Sequence, residues 1–438
     1  MQRSTFALVL TLVLAGILAG QAWQAGPQSP FGYTRFDGEY FPGTNKVYFL
    51  GGRIGNATTL GDIWSYDPQA GSYADVGVDM PKVVSNYDIC LLQDDHDLPA
   101  GDTFGLYIVG GRYDQAPNYT DSVQVYYPVS NTARILDTDL FPGRAGGQIT
   151  VAQSSIEHGN KMFVCGGFSQ TGNATSAETW LFDPLAAAGT RWTQLRDMML
   201  GRAYPIVARV DSFIYAIGGD TWRDPSLYAQ SQCQRFNLND TAAGWELIAS
   251  LPAVNGQARG FGFDSDFPGS FAGKVVVAGR GVWPSESAHC YIYDVATNTW
   301  DTFPRIAQRR RNHAGVYLPA EAGGTGVPGI WIFGGRQDSD TNCLRQSEYY
   351  PIDVVGVEEG CGGPVARSLV APNPARTVLH LSGHAPASLL DISGREQFRL
   401  RPGANDIRSV APGVYFVGEG SRSQGFKGSR VTKVVIQR

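Results

Sequence analysis

The chain has 438 residues, 43% hydrophobic and 17% charged, enough apolar content for a large core and length enough for more than one domain. A net charge of -5, a pI near 5.7 and no long run of like charge exclude bulk nucleic-acid binding and charged tails. The counts Gly 54 and Pro 25 suit many short strands joined by turns.

The first segment reads as an address. Arg3 gives a positive start, Phe6 to Ile17 an apolar stretch, and Gly20-Gln21-Ala22 a small-x-small site, the pattern of a secretory signal peptide cut after Ala22. Nothing after it is long and apolar enough to span a bilayer, so the mature chain is expected to be exported, with no transmembrane segment.

From residue 46 one stretch recurs: Lys46-Val-Tyr-Phe-Leu-Gly-Gly-Arg53, then Leu106-Tyr-Ile-Val-Gly-Gly-Arg112, Met162-Phe-Val-Cys-Gly-Gly167, Ile214-Tyr-Ala-Ile-Gly-Gly219, Val275-Val-Val-Ala-Gly-Arg280 and Ile330-Trp-Ile-Phe-Gly-Gly-Arg336. Successive glycine pairs lie about 52 to 61 residues apart, which marks one repeated supersecondary unit. Each copy is a β-branched or aromatic run closed by glycines, as for a buried strand whose end turns where a Cβ would clash. Around it each unit reads as four strands. Arg202 to Val210, Phe213 to Ile217, Gln232 to Asn237 and Gly244 to Ile248 are one set, with the Asp-Pro and Asn-x-Thr turns of hairpins elsewhere.

The Gly-Gly doublet, the Tyr-Asp-Pro end of strand three (Tyr66-Asp-Pro68), the Trp of strand four (Trp192, Trp300) and Arg311-Asn-His-Ala-Gly-Val-Tyr-Leu318 resemble the kelch motif. The resemblance covers about residues 23 to 353 and implies an all-β fold, a six-bladed kelch β-propeller. Tyr73 and Ile135 stand where the strand-four Trp is expected in the first two repeats, and Ala278-Gly279 replaces one doublet. The sixth repeat lacks a fourth strand after Pro351, whereas Trp23-Gln-Ala-Gly26 precedes the first. The mature N-terminus is therefore expected to supply the outer strand of the last blade and close the ring.

Six cysteines (Cys90, Cys165, Cys233, Cys290, Cys343, Cys361) contain no C-x-x-C, so neither a metal site nor a knotted scaffold is signalled. Cys165, Cys233 and Cys290 fall in strand patterns as core residues. Cys343 with Cys361 is the disulfide expected in an exported chain.

Residues 354-365 read as a linker and 366-438 as a second domain of alternating short strands, an Ig-like β-sandwich. Pro372-Asn-Pro374, the Asp391…Gly394-Arg395 turn, Pro412-Gly-Val-Tyr-Phe416 and Lys433-Val-Val-Ile436 resemble the C-terminal sorting domain of the type IX secretion system. That resemblance implies passage across a Gram-negative outer membrane, the secretion machinery as a partner, and a secreted or cell-surface location. It also argues against glycosylation at the sequons of Asn56, Asn118, Asn173 and Asn239.

Catalytic motifs are absent: no G-x-S-x-G, H-E-x-x-H or G-x-x-x-x-G-K-[ST] occurs. The histidines (His96, His158, His289, His313, His380, His384) are too dispersed for a metal cluster, and His313 falls at the usual His of the kelch first strand. Asp94-Asp-His-Asp97, Asp102, Asp264 and Asp266 read as solvated acidic loops rather than calcium ligands. The remaining signal is arginine. Arg53, Arg112, Arg280 and Arg336 follow glycine doublets, and Arg35, Arg144, Arg202, Arg259 and Arg311 precede or open first strands. In a four-stranded meander those two sets of loops share a face. The guanidinium groups are therefore expected to ring one mouth of the channel, suited to a carboxylate, sulfate or phosphate, with Tyr113, Phe168, Trp222 and Trp283 stacking on sugar rings. The same residues also suit ties between blades. The functional expectation is a monomeric, non-enzymatic binding module for a glycan or protein, needing no cofactor. A sialate mutarotase-like enzyme and a purely structural surface protein are the alternatives.

Overall fold

A computed structural model describes residues 22–55, 58–94, 102, 104–114, 118–322, 328–338 and 341–352, and in the C-terminal part 370–371, 378–381, 387–390, 396–401, 403–419 and 431–436. The chain divides into two compact units, Met1–Gly356 and Val357–Arg438. Residues 1–21 of the expected signal peptide, the expected linker and Cys361 lie outside the described residues.

The first unit is a six-bladed propeller of antiparallel four-stranded sheets. Blade 1 is Gly38–Phe41, Lys46–Ile54, Thr58–Asp67 and Ser72–Asp79, from the axis outward. In blade 2 the innermost strand is split into Val84–Ser85 and Cys90–Gln93, both paired with Phe104–Tyr113; Tyr119–Tyr127 and Thr132–Leu136 follow. Blades 3, 4 and 5 begin at Ser154–His158, Ile206–Val210 and Arg259–Phe263. The doublet-bearing second strands are buried almost end to end, Gly329–Phe333 completely, because each sheet is covered on both faces by its neighbours. The outermost strands are not: Ser72–Asp79 alternates exposed and half-buried residues.

The apolar core lies between blades, and it runs around the whole ring. One cluster joins Phe333 of blade 6, Phe49 of blade 1 and Leu106 of blade 2. Others join Val109 to Val164, Phe163 to Ile214, Ile217 to Val277, and Val276 to Ile332. Near the axis the inner strands crowd one another. A Cβ on Gly262 would lie 1.8 Å from the carbonyl oxygen of Arg209, so only glycine lets blades 4 and 5 approach this closely.

The ring closes through the N-terminus. Gln24–Ala25 pairs antiparallel with Ser347–Pro351, Gln24 opposite Tyr349 and Ala25 opposite Glu348. Trp23 continues that register onto Tyr350, ring centroids 5.8 Å apart, and donates its indole N–H to the carbonyl of Pro304 at 2.8 Å. It thus occupies in blade 6 the place that Trp192, Trp245 and Trp300 hold opposite Phe182, Phe236 and Tyr293. Tyr73 does the same opposite Tyr66. In blade 2 the residue at this place is Ala133, opposite Tyr126; Ile135 sits two residues along, opposite Gln124.

A second ring lies at the channel's waist. Arg35, Asn86, Ala152, Tyr204, Gln257 and Asn312, one per blade, have φ between 49° and 66°, a left-handed conformation that costs non-glycine residues on the order of 1 kcal/mol each. Blade-to-blade hydrogen bonds offset that cost. Arg35 donates to the carbonyl of Asn312, Asn86 to Arg35, Tyr204 to Ala152 and Asn312 to Gln257, at 2.7 to 2.8 Å.

Cys90, Cys165, Cys233 and Cys290 are buried thiols; burial pushes Cys233 and Cys290 up to about 11, so they are inert core residues at neutral pH. Cys343 is half-buried and joined to no described cysteine. The second unit has a three-stranded sheet (Val370–Ala371, Val378–Leu381, Gly403–Asp406) and a four-stranded one (Glu396–Leu400, Ala387–Leu390, Gly413–Glu419, Val431–Ile436). Leu379, Leu389, Leu400, Val417 and Val434 of the two sheets share one core. Pro372 to Pro374 and the turn at 391–395 lie outside the described residues.

Candidate functional site

Backbone register decides which arginines meet. After each glycine pair the next residue bridges to the strand entering the same blade: Thr34 with Arg53, Ser85 with Arg112, Val151 with Phe168, Ala203 with Asp220, Gly256 with Gly281, and Arg311 with Arg336. Three consecutive blades (6, 1 and 2) thus present arginine at one place on the ring, and the opposite three present Phe168, Asp220 and Gly281. Arg35 at the waist and Arg311 complete a group of five cations.

Arg53 is 4% exposed, and its Nε and Nη1 are buried with no hydrogen-bond partner among the described residues; the Nε atoms of Arg35 and Arg112 are in the same state. Burial, then the charges of Arg35 and Arg112, pull the Arg53 pKa down to about 10, against the opposite pull of Asp114. Burial, then Arg35 and Arg311, pull Arg336 down to about 9. Arg311 is lowered by burial and by Arg35, against the pull of Glu286, whose carboxylate lies 3.7 Å away. Tyr204 belongs to the same group. It accepts a 2.5 Å hydrogen bond from Asn86 Nδ2 and lies near enough to Arg53, Arg311 and Arg336 to act on each electrostatically. A phenol from blade 4 therefore lies across the axis among guanidiniums from blades 6 and 1.

Above the waist is a cavity of about 340 Å³ whose lining includes Arg35, Arg112, Tyr204, Asp220, Trp222 and Trp283. Of the five cations Arg35 and Arg112 line it, whereas the buried Arg53, Arg311 and Arg336 do not. Its two sides differ in chemistry. Opposite the arginines, Phe168 and Trp222 stack at 5.5 Å and 26°, and Trp283 is 54% exposed on the rim. These three fall where the sequence places stacking aromatics, but Tyr113 does not line the cavity. Asp220 is the residue that sequence reasoning missed. It is 2% exposed, accepts a 3.0 Å hydrogen bond from Gln257 Nε2, and is pushed up to about 6 by burial, with Gln257 and Arg311 opposing. Its signal was its place directly after Gly218-Gly219, where other blades carry arginine.

Four of the expected mouth arginines do other work. Arg280 stands at the second-glycine position of its blade, with Gly281 at the arginine position; one residue out of frame, it bonds the carbonyl of Val254 instead. Arg202 is fully buried and donates to the carbonyls of Leu200, Gly218 and Gln232 and to Gln232 Oε1. Arg310, not singled out in the sequence, repeats this two blades on, to Gln308, Gly334 and Gln346, and pairs with Glu348 at 2.5 Å. Arg144 ties its own loop through the carbonyls of Phe141 and Gly143 and through Asp121 at 3.0 Å.

Arg259 lies below the waist, in a second chamber of about 380 Å³. There it pairs with Asp88, lies 3.4 Å from Asp37, and donates to the carbonyls of Phe36 and His313, bracing blades 5, 6, 1 and 2 across the axis. Burial, foremost, pushes Asp37 up to about 7 and Glu39 up to about 8 in this chamber. The acidic loops are likewise engaged. Asp94 accepts from the hydroxyls of Tyr107 and Tyr127, and Asp264 from Arg209 at 3.0 Å; Asp95, His96 and Asp97 lie outside the described residues. His313 is fully buried. Among the described residues no group of three or more His, Cys, Asp or Glu is placed to hold a metal.

Neither a protein-family model nor a curated protein sequence matches the chain. Its fold is similar to the solved structure titled "Structure of YjhT", with a TM-score of 0.55 and 15% identity, over 75% of this chain and 97% of that one. At that identity the likeness concerns the propeller fold.

Proposed function

We propose that the chain is an exported kelch-type propeller whose arginine mouth binds a carboxylate-bearing sugar. The observation that carries this reading is the cavity wall. Arg35 and Arg112 line it, each with a buried Nε that has no hydrogen-bond partner among the described residues, and Arg53 and Arg336 lie near enough to feel their charge. Cations crowded in this way destabilise the protein unless something supplies a counter-ion. A carboxylate does so through bidentate bonds, while the facing Phe168 and Trp222 offer a surface to the apolar face of a sugar ring. Sulfate or phosphate groups fit the cations equally, but an aromatic wall opposite favours a ring that bears the acid. The signal peptide and the sorting-domain resemblance support export.

The test is a thermal-shift screen of the full chain against acidic and neutral sugars, since a ligand that binds only the native state raises its melting point. Acidic sugars should raise it and their neutral analogues should not. Arg112→Ala and Arg336→Ala should lose the response while still folding. A flat response to every sugar would leave the structural-surface reading standing.

Asp220 favours a second reading, a proton-transfer enzyme of the sialate mutarotase-like kind. Interconverting anomers requires a proton to leave the anomeric hydroxyl and another to reach the ring oxygen. A carboxyl held near 6 inside the pocket is suited to such transfers at neutral pH. Anomer exchange measured by saturation-transfer NMR would then fall by about 10²-fold or more in Asp220→Asn, with binding retained. Equal exchange rates with and without the chain would discard this reading and leave the binding module.

A further inference from the structure

The arginine cavity has neighbours in two directions. Below, Arg35, Asn86, Tyr204 and Gln257 of the hydrogen-bonded waist border both it and the Arg259 chamber. Between blades 2 and 3 it continues into a cleft of about 370 Å³ lined by Arg112, Asn118, Tyr119, Gln170 and Thr171. Arg112, Tyr119 and Gln170 border both spaces, so the two adjoin. The chemistry changes from one to the other. The inner space holds cations and stacked rings, whereas the outer one holds two amides, two hydroxyls and a single guanidinium at the junction. Amides and hydroxyls without added charge read neutral hydroxyl-rich groups.

Building on the preceding reading, we infer that the ligand is an oligosaccharide entering end-on. Its acidic terminal residue fills the arginine cavity, and the next, uncharged sugar lies in the cleft between blades 2 and 3. A free acidic monosaccharide would occupy only the inner half.

Calorimetric titration of the full chain with N-acetylneuraminate and glucuronate, against sialyllactose and a glucuronate-terminated disaccharide, tests this directly. At least one oligosaccharide should bind about 5-fold or more tightly than its free acid, the gain of one or two hydrogen bonds. Thr171→Ala, and separately Asn118→Gly, both confined to the outer cleft, should remove that gain and leave the free acid's affinity unchanged. Equal or weaker oligosaccharide binding overturns the inference while the arginine reading survives. Equal loss for both ligands in the variants does the same. If neither free acid nor oligosaccharide binds, the reading and the inference fall together.

Discussion

Replacing Arg53 by methionine should make the ligand-free protein more stable, the reverse of what removing a structural arginine does. Arg53 is 4% exposed with two unpartnered nitrogens, and its pKa is drawn down to about 10 by burial and then by Arg35 and Arg112. The drop from the ordinary arginine value corresponds to about 3 kcal/mol. The sign follows from the direction. A cation whose folded-state pKa is lowered opposes folding at every pH below about 10, and the penalty fades as pH rises through the folded and then the unfolded value. Methionine fills similar space without charge, so Arg53→Met should gain about 1–3 kcal/mol at pH 7, after allowing for packing losses. For a domain of this size that is a rise of a few degrees in melting temperature. Urea denaturation in low-salt buffer, followed by tryptophan fluorescence, gives the number. With a saturating acidic sugar the order should narrow or invert, because a ligand at 100 times its Kd adds about 2.7 kcal/mol to the wild type alone. A variant less stable than wild type without ligand would refute the reasoning and make Arg53 a tie between blades.

Arg310→Met should go the other way, losing about 3–5 kcal/mol in the same assay, because it strands the buried Glu348 carboxylate; affinity for an acidic sugar should not change. Trp23→Ala should cost about 3–5 kcal/mol by emptying the site over Tyr350, and limited proteolysis should then cut first near the N-terminus. Asp220 carries a pH signature. Its folded-state pKa of about 6 exceeds the unfolded one, so the folded state holds the proton more tightly and its stability declines as pH rises from about 4 to 6. Asp220→Asn should therefore gain on wild type by about 2–3 kcal/mol between pH 4 and pH 7, and a difference that does not change with pH would contradict the buried carboxyl.

The propeller was legible because its signals are local and repeated. Glycine pairs recur where the first glycine takes φ between 57° and 79° in all six blades, and the missing fourth strand of the sixth repeat and the spare Trp23 pointed to each other. The composition of the mouth was legible only in part. Arg53, Arg112, Arg311 and Arg336 converge as the loop argument requires. Arg280 does not, since a single-residue change of frame puts Gly281 in its place, and no spacing rule registers that. Arg202 and Arg259 begin strands as Arg311 does, yet one turns into its own blade and the other crosses below the waist. Which way such a side chain goes follows the partners that folding brings to it, Gly218 and Gln232 for Arg202, Asp88 and His313 for Arg259, none of which is adjacent in sequence. Asp220 was hidden because a carboxylate after a glycine pair looks like any other turn residue until three arginines are seen around the same ring.

The most direct measurement is a crystal structure of the full chain soaked with N-acetylneuraminate or glucuronate. The carboxylate should lie against Arg35 and Arg112, above Tyr204, with the sugar ring toward Phe168 and Trp222. Density for the acid at another surface, or in the Arg259 chamber while the mouth holds only solvent, would contradict the assignment of the arginine mouth as the binding site.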